Sequence, residues 1–171
     1  MDAHLANPRG FCAGVDRAIE IVKRALERYG APVYVLHEIV HNKHVLQDLE
    51  SRGTVFVRSL DEIPSGGVTI FSAHGVSDAI VREGRERGLQ IIDATCPLVT
   101  KVHNQAIHYA NNGREVILIG HPGHPEMEGT QGRIPGKVHI LSTVEEVEAL
   151  EVTDPAKLAY VTQTTLSVDD T

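Results

Sequence analysis

The segment Ile91-Ile92-Asp93-Ala94-Thr95-Cys96-Pro97-Leu98-Val99-Thr100-Lys101-Val102-His103 constrains the fold more than any other. Two β-branched residues suit the end of a strand. A short turn follows, and Pro97 suits the first position of a helix, where its fixed φ is preorganised and its missing N–H is not needed. Cys96 then falls at the N-cap. Unpaired N–H groups and the positive end of the dipole favour an anion there, so the position favours thiolate, the form that binds soft metal or attacks an electrophile. Read alone, Cys96 could equally be a buried thiol acting as a small hydrophobe.

The second cysteine repeats the plan. Leu5-Ala6-Asn7-Pro8-Arg9-Gly10-Phe11-Cys12-Ala13-Gly14 reads as a short strand, a turn and a cysteine opening an amphipathic helix. These are the only two cysteines of the chain. In an α/β fold both would stand at the carboxyl edge of a sheet, where ligands bind.

Strands and helices alternate along the rest of the chain. Val15, Ala18, Ile19, Val22 and Leu26 share a helical face ended by Gly30. Strands are expected at 4–7, 33–36, 54–57, 68–71, 90–93, 115–119, 138–141 and 158–161. Helices are expected at 43–51, 80–87 and 97–110. Ser142 and Glu145 have capping-box spacing and start a helix reaching about Leu150. Such alternation predicts an α/β fold with largely parallel sheets flanked by helices. The recurrence of the Cys–helix unit divides it into two similar small lobes, 1–95 and 96–171.

Composition narrows the function. With 171 residues, 42% of them hydrophobic and 23% charged, the chain is an ordinary globular one. A net charge of −7 argues against a nucleic-acid surface. No apolar run approaches membrane-spanning length, and the N-terminus shows neither signal nor transit segment. Two cysteines make no disulfide framework, so a reducing cytoplasm is expected.

Cys12, His41, His74, Cys96, His124, Glu126 and Thr164 are all expected just after a strand, on the rim where α/β lobes bind ligands. Taken singly, each histidine could be structural, and spacing does not separate His41 from His37 and His44. His121-Pro122-Gly123-His124-Pro125-Glu126-Met127-Glu128-Gly129-Thr130 stands out as polar, proline-locked and glycine-punctuated. Imidazoles beside helix N-termini suit a phosphate. With no Walker or dinucleotide motif present, that phosphate belongs to a small substrate.

Asn7-Pro8-Arg9-Gly10-Phe11-Cys12-Ala13-Gly14-Val15, Ser72-Ala73-His74-Gly75-Val76, Asp93-Ala94-Thr95-Cys96-Pro97, His121 to Gly129, and Thr162-Gln163-Thr164-Thr165-Leu166-Ser167 occur together and in order. This set closely resembles the LytB family of 4-hydroxy-3-methylbut-2-enyl diphosphate reductases, over essentially the whole chain. The resemblance implies three similar α/β lobes around a 4Fe-4S cluster held by three cysteines. It also implies reductive removal of an allylic hydroxyl as water, giving isopentenyl and dimethylallyl diphosphate. Electrons would come from a donor such as ferredoxin or flavodoxin. By the same resemblance Cys12 and Cys96 are two of the cluster ligands. His41, His74 and His124 line the diphosphate pocket, Glu126 delivers protons, and Thr164 orients the hydroxyl. The family's third cysteine and further Ser and Asn contacts follow the Thr-Gln-Thr-Thr motif and have no counterpart here. Ser167 before Asp169 and Asp170 reads as the start of a helix that scarcely continues, so the expectation is the first two lobes of three. Such a chain could act as an inactive fragment or a phosphate-binding module. A thiol–disulfide switch between Cys12 and Cys96 and a zinc hydrolase are further alternatives. The zinc reading is weakened by Pro122 and Pro125, which are expected to break any helix there.

Overall fold

The computed structural model describes residues 4–7 and 9–167. The elements run α1 (Ala13–Tyr29), β1 (Val33–Leu36), α2 (Lys43–Ser51), β2 (Thr54–Val57), β3 (Val68–Phe71), α3 (Asp78–Glu86), β4 (Gln90–Asp93), α4 (Pro97–Asn111), β5 (Glu115–Ile119), α5 (Pro125–Gln131), β6 (Val138–Leu141), α6 (Val144–Glu148) and β7 (Leu158–Thr162). Two wholly parallel sheets result, one ordered β2-β1-β3-β4 and the other β6-β5-β7. In each sheet the first strand is central and its successors add on either side. No helix among the described residues is long and apolar enough to cross a membrane.

Parallel strands need a crossover element between them, and the helices serve that purpose. Ala18, Val22 and Ala25 follow helical spacing on α1 and are buried, and Gly30 ends it at φ 75°. Asn42 caps α2 by accepting from His44 and Val45 N–H, and Ser77 caps α3 by accepting from Ile80 N–H. One face of the first sheet packs under α1 and α2 through Val33, Val35, Ile70 and Leu49. The other packs through Leu36, Val57, Phe71 and Leu89, with Ile80 and Val81 of α3. Ala106 of α4 and Met127 of α5 cover Val116, Leu118 and Val161 of the second sheet.

Three local expectations fail. Residues 4–7 form no strand, and Leu5 is 76% exposed. Two apolar residues between His4 and Asn7 bury too little to hold a strand, so Cys12 is reached from an exposed segment instead. Pro125 does not break a helix. It occupies the first position of α5, with His124 as the cap. The capping box of α6 is Thr143 with Glu146, one residue later than expected, and that helix ends at Glu148. The helix expected to begin at Ser167 lies outside the described residues.

The two sheets meet at the turn between β3 and α3. From one side comes α4, whose His103 is 3% exposed and lies edge-on to Gly75. A Cβ on Gly75 would stand 2.7 Å from His103 Cε1. From the other side comes α5, where a Cβ on Gly129 would stand 3.0 Å from the Gly75 carbonyl oxygen. Arg133 then donates from Nε to the Val76 carbonyl at 2.6 Å, and the Asp78 N–H donates to the Gly132 carbonyl at 3.4 Å.

Among the described residues His103 Nε2 has no hydrogen-bond partner. Burial, with help from nearby Arg133 and against the pull of Asp93 and Asp78, lowers its pKa to about 4. The folded protein therefore keeps His103 neutral where the unfolded chain, titrating at about 6.5, takes a proton. The unfolded state binds more protons between those values, so stability falls as pH drops from about 6.5 to about 4. In urea unfolding across that range, His103→Gln is expected to flatten the pH dependence by up to one proton, about 1.4 kcal/mol per pH unit. An unchanged slope would contradict a buried neutral His103.

Candidate functional site

The carboxyl ends of the two sheets face one another, and the expected rim residues gather there. His41 follows β1, His74 follows β3, and His124 follows β5 and caps α5. Their ring centroids lie 4.5 Å (His41–His74), 5.2 Å (His41–His124) and 5.3 Å (His74–His124) apart. His74 is buried, His124 half-buried and His41 exposed. His37 and His44, which spacing could not separate from His41, stay outside this cluster.

Hydrogen-bond partners set the protons. The Glu126 N–H donates to His124 Nδ1 at 3.1 Å, so neutral His124 carries its proton on Nε2. That Nε2–H faces His41 Nε2 at 3.2 Å. His41 donates from Nδ1 to the Glu38 carboxylate at 2.9 Å, which leaves its Nε2 free to accept. His74 Nδ1 lies 3.2 Å from Ser72 Oγ. Burial lowers the His74 pKa to about 3, and charge on His41, His124 or His37 would push it the same way. Burial also lowers that of His124.

Beside the imidazoles stands an acid. Glu126, in the first turn of α5, is 2% exposed. Thr164 supplies both its partners, the N–H at 2.6 Å and the Oγ1–H at 2.8 Å. Burial raises the Glu126 pKa, and the two Thr164 bonds partly oppose it. Gln163, itself 4% exposed, fastens the Thr164 loop. Its Oε1 accepts from the His121 N–H at 3.0 Å and its Nε2 donates to Thr165 Oγ1 at 2.8 Å.

Cys12 and Cys96 are the N-caps of α1 and α4, and neither thiol accepts a cap hydrogen bond or forms a disulfide. Both sulfurs converge on Gly14. A Cβ there would stand 2.6 Å from Cys96 Sγ and 3.8 Å from Cys12 Sγ. Two free sulfurs around one cradle that a methyl group would fill form a soft donor pair, suited to iron–sulfur or other thiophilic metal.

Sequence reasoning assigned no role to Glu38, Ser72, Gln163 or Gly14. Ser72, Gln163 and Gly14 lie inside the motifs that carry the resemblance, so a signal was present. Glu38 carried none, because its partnership with His41 depends on the loop that follows β1.

The family model described as LytB protein matches residues 3–171. A 4-hydroxy-3-methylbut-2-enyl diphosphate reductase of Azoarcus sp. (strain BH72) is 62% identical over 166 residues, covering 97% of this chain and 53% of the relative. The solved structure of the E-1-hydroxy-2-methyl-but-2-enyl-4-diphosphate reductase from Plasmodium falciparum superposes with a TM-score of 0.92 at 46% identity, over 96% of this chain and 52% of that one. A second solved reductase, titled the terminal enzyme of the non-mevalonate pathway, has a TM-score of 0.81 at 31% identity, over 96% of this chain and 58% of that one. The chain thus spans about half the length of the relatives it matches. It belongs to the LytB family.

Proposed function

We propose that this chain carries the diphosphate pocket, the proton-delivering acid and two of the cluster thiolates of a 4-hydroxy-3-methylbut-2-enyl diphosphate reductase, the activity named for its relatives. The proposal divides the chain into units 1–95 and 96–171. It places the remaining cluster ligand and substrate contacts in the part of the family that this chain does not span. It also takes a ferredoxin or flavodoxin as electron donor and the cytoplasm as the site of action.

The tautomer of His124 carries the reading. A zinc site on the three imidazoles has geometry in its favour, since one ligand atom from each lies within 4.8 Å of the others. A metal, however, needs a lone pair from each ring. His124 already spends the Nδ1 lone pair on the Glu126 N–H and presents Nε2–H to the cluster. A donor edge suits an anion. Burial biases His74 and His124 toward the neutral form, and an arriving diphosphate would let them gain charge, because a nearby anion raises their pKa.

Each residue has its task in this reading. His41, His74 and His124 bind and orient the diphosphate. Thr164, held by Glu126, orients the substrate hydroxyl. Glu126, whose pKa burial raises against the opposing Thr164 bonds, gives its proton to that hydroxyl, so the C–O bond breaks with water as the leaving group. Cys12 and Cys96 would hold a 4Fe-4S cluster, which when bound supplies the two electrons the reaction consumes. A second proton ends on carbon in the product.

Three measurements on the full-length protein follow from this reading. Inorganic pyrophosphate titrated into wild type, His41→Ala and His74→Ala should bind the variants roughly 10- to 150-fold more weakly, the loss of one hydrogen bond to a charged group. Unchanged affinity would remove the imidazoles from the pocket. Glu126→Gln keeps an oxygen for Thr164 but has no proton to give, so turnover should fall about 10²- to 10⁴-fold at normal iron content. Near wild-type turnover would end the proton-delivery role. Gly14→Ala drives a methyl group onto Cys96 Sγ, and iron and sulfide per chain should drop while the far-ultraviolet spectrum stays native. Full iron retention would show that the sulfurs converge on Gly14 for no metal.

A further inference from the structure

We infer that Arg133 is a positioning residue for the imidazole cluster: by tying the Val76 carbonyl to the end of α5, it sets where His74 stands relative to His124 and Glu126. The inference deepens the anion-pocket reading and rests on it for its effect on ligand binding.

The path is short and covalent on both sides of the bond. Val76 is two residues from His74, on the turn leaving β3. Arg133 follows α5, whose cap is His124 and whose first turn holds Glu126. The Arg133 Nε to Val76 carbonyl bond, at 2.6 Å, is the shortest hydrogen bond between that turn and α5 among the described residues. The other backbone link, from the Asp78 N–H to the Gly132 carbonyl, is 3.4 Å long. Arg133 Nη1 lies 3.5 Å from Asp78 Oδ1, which holds the guanidinium in register. A planar fork can engage a carbonyl with one nitrogen and a carboxylate with another, and a lysine ammonium cannot reproduce that geometry.

Close packing explains why the bond matters. The turn has little freedom on its α4 side, where His103 lies against Gly75. On the α5 side Gly129 leaves just enough room for the Gly75 carbonyl. Movement of the turn along α5 is therefore the motion left open, and the Arg133 bond opposes it. His74 rides on that turn with Ser72 on one ring nitrogen and His41, His124 and His37 as its charged or chargeable neighbours. Arg133 makes no hydrogen bond to any of the three clustered imidazoles, so its influence on the pocket passes through His74.

The test compares full-length wild type with Arg133→Ala, Arg133→Lys and Gly129→Ala. Histidine C2-hydrogen exchange is read residue by residue by mass spectrometry across pH, and pyrophosphate affinity is read by calorimetry. In Arg133→Ala the exchange midpoint of His74 should move up toward the free value as the ring loses its packed surroundings, while that of His139 on β6 stays put. Pyrophosphate should bind about tenfold more weakly, and Arg133→Lys should recover part of both effects. Gly129→Ala wedges the turn off α5 and should shift His74 in the same direction. Lower thermal stability with His74 exchange and pyrophosphate affinity both unchanged would show that Arg133 merely holds the fold, and would overturn the inference. If wild type itself ignores pyrophosphate, the anion reading fails, and the His74 exchange midpoint alone then decides the role of Arg133.

Discussion

The close approach of the α5 backbone to the turn after β3 is the contact on which the site depends. Parallel sheets bring their own loops to one edge, but nothing in that rule makes two sheets face each other. Here Gly129 and Gly132 let α5, which packs on the second sheet, lie directly against residues 75–77, which follow a strand of the first. Helix backbone against turn backbone leaves no side-chain layer to slide or repack. His74 meets His124 across this junction with ring centroids 5.3 Å apart, where close backbone contact limits how far the turn can move and the Arg133 side chain ties it to the end of α5. A methyl group at Gly129 would force the Gly75 carbonyl to move by a few tenths of an ångström, enough to disturb a cluster whose hydrogen bonds span 2.9 to 3.2 Å.

The enclosed junction also decides the charge state of what it holds. Removing water penalises whichever form is charged, so one environment acts in opposite directions on bases and acids. It lowers the pKa of His74 and His124 and raises that of Glu126. The result is a pair of imidazoles biased toward the neutral form beside an acid biased toward its protonated form. Both features suit an incoming polyanion. On the proposed reading, a diphosphate would bring negative charge that raises the pKa of His74 and His124. Thr164 tempers the effect on Glu126, since its two hydrogen bonds favour the carboxylate. Burial and the Thr164 bonds thus pull the Glu126 pKa in opposite directions, a balance that suits the proton-delivering role proposed for it.

Much of this was legible in the sequence, and the parts that were not share a cause. Local chemistry was readable: Cys96 before Pro97, Gly30 after a 17-residue amphipathic helix, and Val33 to Leu36 as a buried run all took the expected form. The rim rule brought His74, His124 and Thr164 to the strand ends that parallel sheets share, while spacing alone did not single out His41 from His37 and His44. Residues 4–7 misled because apolar character in a two-residue stretch says nothing about whether a sheet edge is at hand to receive it. Pro125 misled because a proline inside a polar segment can break a helix or begin one, and only the cap before it decides. His124 supplied that cap with a ring nitrogen, outside the usual set of Ser, Thr, Asp and Asn. Glu38, His103 and Arg133 escaped notice because their partners are set by tertiary packing and by no spacing along the chain.

The two sheets reach similar ends by different local solutions. After the central strand of each sheet comes a histidine and then a helix that needs a cap. Beside the first sheet Asn42 takes the N–H groups of α2, which leaves His41 free to give its Nδ1–H to Glu38 and turn an acceptor nitrogen toward the cluster. Beside the second sheet no residue intervenes, so His124 caps α5 itself and is left with a donor nitrogen facing the cluster. One ring accepts and the other donates, which is why they can pair at 3.2 Å. Had both helices been capped alike, two donors or two acceptors would face each other. The cap residue, one position apart in the two sheets' loops, thus sets the tautomers of a cluster drawn from both.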